Sequence, residues 1–201
     1  MRLGLASPLK HETPKEWAAN MKAIGCGCVV FPVDYMAGEA VVSAYAEAAE
    51  QEGLIIAEVG AWSNPLSPDE DVRSEAFTRC VRQLQLADRI GASCCVNIAG
   101  SAGSRWDGAY KENFTEAHWK KTVRSIQNII DEAMPERTYY TLEPMPWMVP
   151  AGPEQYLRLL EDVNRERLPC IWIWQTGSQA RISILTIMNL WSSALRCWET
   201  G

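Results

Sequence analysis

The stretch Thr138–Trp147 reads TYYTLEPMPW. Its first half is aromatic and β-branched, the composition of a buried strand. Its second half changes character. Glu143 stands near the end of the apolar run, and Trp147 follows in a loop broken by prolines. Downstream, PEQYLRLLEDVNRER carries apolar residues at helical spacing, and upstream EAHWKKTVRSIQNIIDEAM does the same. A strand between two amphipathic helices, with its polar chemistry gathered at one end, is one unit of a βα repeat.

The repeat runs back to the N-terminus. MRLGLAS starts a short strand, and HETPKEWAANMKAIG is a helix with Trp17, Met21 and Ile24 at helical spacing and Gly25 as its stop. CGCVVFPV is a continuous apolar run of the kind a strand covered on both faces produces. GEAVVSAYAEAAEQEG is a helix ended by Gly53, and LIIAEVG is the third strand. After the loop AWSNPLSPDED, SEAFTRCVRQLQLADRIG is a long helix closed by glycine, and ASCCVNIAG is the fourth strand.

Such alternation predicts parallel strands joined by right-handed crossovers. An open doubly wound sheet favours a glycine-rich phosphate loop after its first strand, and MRLGLASPLK has none. A (βα)8 barrel places its function in the loops after its strands. The unusual side chains fall there: Asp34 and Tyr35 after strand two, Glu58, Trp62 and Asn64 after strand three, Ser101 and Trp106 after strand four, Glu143 and Trp147 after strand five. The predicted fold is α/β, an incomplete (βα)8 TIM barrel of about five βα units over residues 1–167, with an atypical tail over 168–201.

The chain has 201 residues and a net charge of −6, with a pI near 5.1. That balance argues against a partner such as nucleic acid, whose phosphate backbone needs a basic face. No apolar run is long enough to span a membrane and MRLGLASPLKHE shows no signal-peptide pattern, so a soluble, cytoplasmic protein is expected. The seven cysteines agree. Cys26 with Cys28, and Cys94 with Cys95, lie in strand-like runs without zinc spacing and read as reduced core residues.

AEVGAWSNPLSPD, ADRIGASCCVNIAGS and above all YYTLEPMPWM resemble the sugar phosphate isomerase/epimerase family, the xylose-isomerase-like TIM barrels, over roughly residues 1–167. The resemblance implies a divalent metal (Mn, Mg or Co) at the strand ends, held by a glutamate from strand five, an aspartate from six, a histidine from seven and a glutamate from eight. It implies proton transfer at the carbon alpha to a carbonyl of a sugar or keto-sugar, and it is compatible with a homo-oligomer. The strand-five ligand, also the catalytic residue, carries over to Glu143. Candidate substrate contacts are Glu58, Trp62, Asn64, Asn97, Trp106 and Trp147, with Asn97 pointing into the barrel mouth.

Each candidate has a plainer alternative: a salt-bridged structural acid for Glu143, a loop-arginine partner for Glu58, aromatic packing under loops for Trp62 and Trp106. His118 reads as a solvated surface residue, His11 has no evident partner, and Arg165 and Arg167 read as a solvated helix end. Nuclease relatives on the same barrel need more than the two histidines present and a basic groove, so composition rejects that activity. A non-catalytic pocket or interaction domain on a half-barrel is the other reading.

The tail breaks the pattern. From Leu168 to Gly201 only Arg181, Arg196 and Glu199 carry charge. Strand six of the resembled family reads something like VHLDLAN, whereas this chain has CIWIWQTG from Cys170. The genetic code connects the two. Read from the third base of each codon, Cys-Ile-Trp-Ile-Trp-Gln-Thr permits H-L-D-L-A-N, and its tryptophans force the Asp and the Ala. Met188 followed by Asn189 forces a Glu in the same shifted frame. The tail therefore reads as the product of a single-base deletion near Leu168, against the alternative of a divergent C-terminal helix. On the frameshift reading only Glu143 of the four ligands is encoded, so an inactive chain with open sheet edges is expected.

Overall fold

The computed structural model describes residues 3–169. The tail from Cys170, including the position of Trp172 where the shifted frame restores an aspartate, lies outside the described residues. Five strands form one sheet in the order of the sequence: β1 (Gly4–Leu5), β2 (Cys28–Val30), β3 (Ile55–Gly60), β4 (Cys94–Asn97) and β5 (Tyr139–Leu142). Every neighbouring pair is parallel. The crossovers are α1 (Pro14–Ala23), α2 (Glu39–Gln51), α3 (Glu70–Ile90) and α4 (Glu116–Ala133), and α5 (Pro153–Val163) follows β5. The predicted arc of βα units is present, with Glu143 at the C-terminal end of the strands.

The core lies between sheet and helices. Trp17 and Met21 of α1, Val42 of α2, Leu84 of α3 and Ile129 of α4 pack there against Val29, Ile56, Val59, Cys95 and Leu142 of the strands. Ile24, expected on the buried face of α1, is instead its half-exposed C-cap. α3 starts four residues before the expected Ser74, because the Asp69 side chain accepts from the amides of Asp71 and Val72 and caps it. At its other end Gly91 adopts φ 70°, a conformation that favours glycine.

One irregularity decides which way β3 faces. Val29 pairs with Ile56, but Val30 pairs with Glu58, so Ala57 is an extra residue in the ladder. Ile56 and Val59 are three apart, yet both point into the helix-side core. Strict alternation forbids that, and the bulge permits it. The phase shift puts Glu58 and Gly60 on the opposite, barrel-interior face.

Beyond β5 the chain returns to the same sheet edge, where Tyr140 N donates to Arg167 O at 2.9 Å. Leu168 is buried in the core next to it. Arg165 pairs with Asp131 at 2.6 Å, and the Arg167 guanidinium lies 5.4 Å from the Tyr139 ring centroid. These two arginines are tied to the fold rather than simply solvated.

Candidate functional site

Two carboxylates belong to the interior face of the sheet. Glu58 lies within β3, not in the loop after it, and is half-buried. Glu143 follows β5, and its amide donates to Asn97 O at 2.8 Å, which carries the β4–β5 ladder one residue further. Leu142 faces the core, so alternation turns Glu143 to the interior. The two stand at different heights. Glu58 pairs with Cys94, which pairs with Tyr139, four residues before Glu143. That offset is roughly 13 Å along the strands, spanned in part by two long side chains. They still feel each other: burial and then the charge of Glu143 raise the pKa of Glu58 above the usual carboxylate value. Cys94 lies beside Glu58, and burial followed by the Glu58 charge pushes its thiol to about 11. It stays protonated and donates to Ala57 O at 3.3 Å.

Trp62 covers this face from above. A Cβ added at Gly60 would lie 2.3 Å from its Nε1, so only glycine lets the indole rest there. Trp62, Trp106 and Trp147 are 40%, 40% and 37% exposed, three aromatic surfaces on successive loops. Trp147 Nε1 donates to Asp107 O at 2.8 Å, which ties its loop to the one after β4. Asp34 pairs with Arg79 at 3.4 Å, and Arg79 lies over the Tyr35 ring.

The two asparagines have other work. Asn97 is fully buried on the helix side, not in the mouth. Its Oδ1 accepts from Ser63 N at 3.1 Å, and its Nδ2 donates to Cys80 Sγ and Tyr140 OH. It satisfies the polar groups between α3 and the sheet. Asn64 joins two loops: Nδ2 donates to Ser101 O at 2.9 Å, while Oδ1 accepts from Ser101 N and Leu66 N. Asn64 Oδ1 thus accepts two bonds, and Asn97 is enclosed with its Oδ1 on Ser63 N.

His118 corrects the sequence reading as well. It is 5% exposed and its Nε2 donates to Gly100 O at 3.2 Å; burial lowers its pKa against that bond. His11 is paired with Tyr45, with Nε2 3.1 Å from the hydroxyl. Gln83, which carries no sequence motif, connects the loop after β2 and the end of β3 to α3. It accepts from Tyr35 N at 2.8 Å and donates to Gly60 O at 2.7 Å. Its signal was a polar residue between Cys80 and Ala87 on the apolar stripe of α3. Asn113 likewise clamps the mouth, donating to Trp147 O and Gly108 O and accepting from Ala102 N.

Among the described residues no three His, Cys, Asp or Glu side chains converge into a group that could hold a metal. Among the described residues the donors do not by themselves make up a ligand set for a divalent ion. The five cysteines among the described residues are free thiols, and no described helix is long and apolar enough to cross a membrane.

Residues 15–173 match the family model described as the xylose isomerase-like TIM barrel. Comparison with curated proteins finds no match. Among solved structures, D-psicose 3-epimerase from Clostridium cellulolyticum H10, determined with D-tagatose, is 14% identical with a TM-score of 0.65, covering 84% of this chain and 62% of that one. A xylose isomerase-like TIM barrel protein from Mycobacterium smegmatis, in complex with magnesium, is 13% identical with a TM-score of 0.59, covering 83% and 62%. The 3-keto-D-glucoside 4-epimerase of E. coli is 13% identical with a TM-score of 0.61, covering 84% and 66%. The chain thus spans under two thirds of the length of these structures.

Proposed function

Because the chain belongs to the xylose isomerase-like TIM-barrel family, we propose that it carries the N-terminal part of a sugar or keto-sugar isomerase or epimerase site, and that these 201 residues alone do not turn over substrate. The observation that supports this reading is the pair of interior carboxylates, Glu143 at the strand ends and Glu58 below it, under the half-exposed Trp62. On this reading Glu143 holds or moves a proton at a bound ketose. Trp62, Trp106 and Trp147 offer apolar walls to a sugar ring, and Glu58 accepts from its hydroxyls. Asn64 and Asn97 position loops around the site.

In the family a divalent ion completes such a site. Here Glu143 is the one residue carried over toward it, and the described donors do not complete a ligand set. That shortfall favours, as a second reading, a non-catalytic pocket on the same arc.

The test is solvent exchange. Incubated in D2O with a ketose panel and Mn²⁺, Mg²⁺ or Co²⁺, the chain is expected to leave the proton alpha to the carbonyl unexchanged. Exchange that EDTA abolishes would overturn the inactive reading. Exchange that survives EDTA but vanishes in Glu143→Gln would overturn it too, and would assign the chemistry to the carboxylate alone.

A further inference from the structure

A second concave region lies outside the mouth, between α3 and α4. Its volume is about 880 Å³, within the range of small-molecule sites. Two helical stripes face each other across it. Glu70, Arg73, Ser74 and Phe77 descend one wall, and His118, Lys121, Ser125 and Asn128 descend the other. Leu66, Pro65 and Phe77 give it an apolar side.

Its charge runs against that of the chain. Arg73, Lys121 and Arg124 line the groove with one acid, Glu70, although the whole molecule carries −6. Lys121 and Arg124 are exposed, whereas Arg73 is held by a bond from Nη1 to Ser67 O at 2.8 Å. Arg73 stands in the first turn of α3, where the helix dipole adds positive potential. The amides of Asp71, Val72 and His118 are already capped by Asp69 and Thr115, so the basic side chains are the groups that would meet a ligand. Ser125 Oγ is buried in the wall with no hydrogen-bond partner among the described residues.

We propose that this groove binds an organic phosphate, with the phosphate between Arg73, Lys121 and Arg124 and an apolar body against Leu66 and Phe77. The site is separate from the interior carboxylates and does not rest on the proposed activity. A free polyanion such as nucleic acid is disfavoured by the acidic remainder of the surface.

The experiment titrates the full chain, in metal-free buffer, with phenyl phosphate and with inorganic phosphate, read by calorimetry and by amide shifts at residues 73, 121 and 124. Phenyl phosphate should bind saturably, weaken with added salt and raise the thermal midpoint by mass action. The K121E/R124E variant should bind roughly tenfold or more weakly, as reversal of two charges beside an anion implies. K10E/K15E, two reversals at and before the start of α1 that lower the net charge equally, should bind as the parent does and shows that lowered net charge alone is not responsible. Absence of saturation by about 10 mM, equal binding by the double variant, or perturbed amides elsewhere overturns the site. Inorganic phosphate binding as tightly as phenyl phosphate overturns the role given to the apolar wall. The amide shifts of the parent chain keep the test decisive if the double variant misfolds.

Discussion

Glu58 is ionised at a cost, because burial and then the charge of Glu143 raise its folded pKa. The sign follows from that direction. Below its unfolded pKa the group is neutral in both states and costs nothing; as pH rises through the folded value, the ionised form weighs against the fold. Glu58→Gln should therefore raise the thermal midpoint near pH 7, by up to about 2 °C for a partly solvated group. The gain should vanish near pH 4, where the parent carboxyl is also protonated. An equal gain at both pH values would mean that the glutamine acts through packing. At this scale the sequence identified the unusual residues and misjudged their surroundings. Glu143, Trp62 and Trp147 stand at the strand ends as the repeat implied. Asn64, Asn97 and His118 are polar residues in loops or on a helix, and a linear sequence does not say that their partners are Ser101, Tyr140 and the Gly100 carbonyl.

Between elements, the clearest clamp is Asp88. Its Oδ1 accepts from the amides of Glu136, Arg137 and Thr138 and fastens the end of α3 to the entry of β5. Partial burial pushes its pKa up, but these three donors and the Arg137 charge outweigh it, and the net value lies below the ordinary one. The stability it contributes is present above the unfolded carboxylate pKa and is lost as pH falls through the folded value. Asp88→Ala should cost about 1–2 kcal/mol near neutrality in denaturant unfolding, and the difference from the parent should shrink in acid. A constant difference down to acid pH would show that something other than the carboxylate is at work. Strands and helices were legible because apolar spacing and glycine stops are local signals. The bulge at Ala57 was not: LIIAEVG alternates ambiguously, and only the opposing pairs Val30–Glu58 and Glu58–Cys94 reveal that the phase changes. That is why Glu58 belongs to the strand and not to the loop.

For the whole molecule, the arc of five strands followed from alternation alone, while the frameshift origin of the tail is a proposal that the nucleotide sequence tests. One base inserted before the Leu168 codon should restore a histidine, then an aspartate near position 172, and should leave the frame open toward a barrel of about 250 residues. The product should bind one divalent ion and exchange the proton alpha to a ketose carbonyl, and Glu143→Gln should abolish both. A stop within a few codons of the restored frame, or full exchange in the glutamine variant, would refute that account. The return of the chain to β5 through Tyr140 N and Arg167 O has a different kind of consequence. One flank of the sheet has already begun to be occupied by its own chain, and the other is β1, only two residues long. A ladder that short offers little template to a neighbouring molecule. Stickiness at this flank then comes from the exposed Leu3, Leu5 and Leu9 around it rather than from hydrogen bonding. Crowded solutions of the protein should accordingly show amorphous, salt-promoted clumping and not ordered fibres.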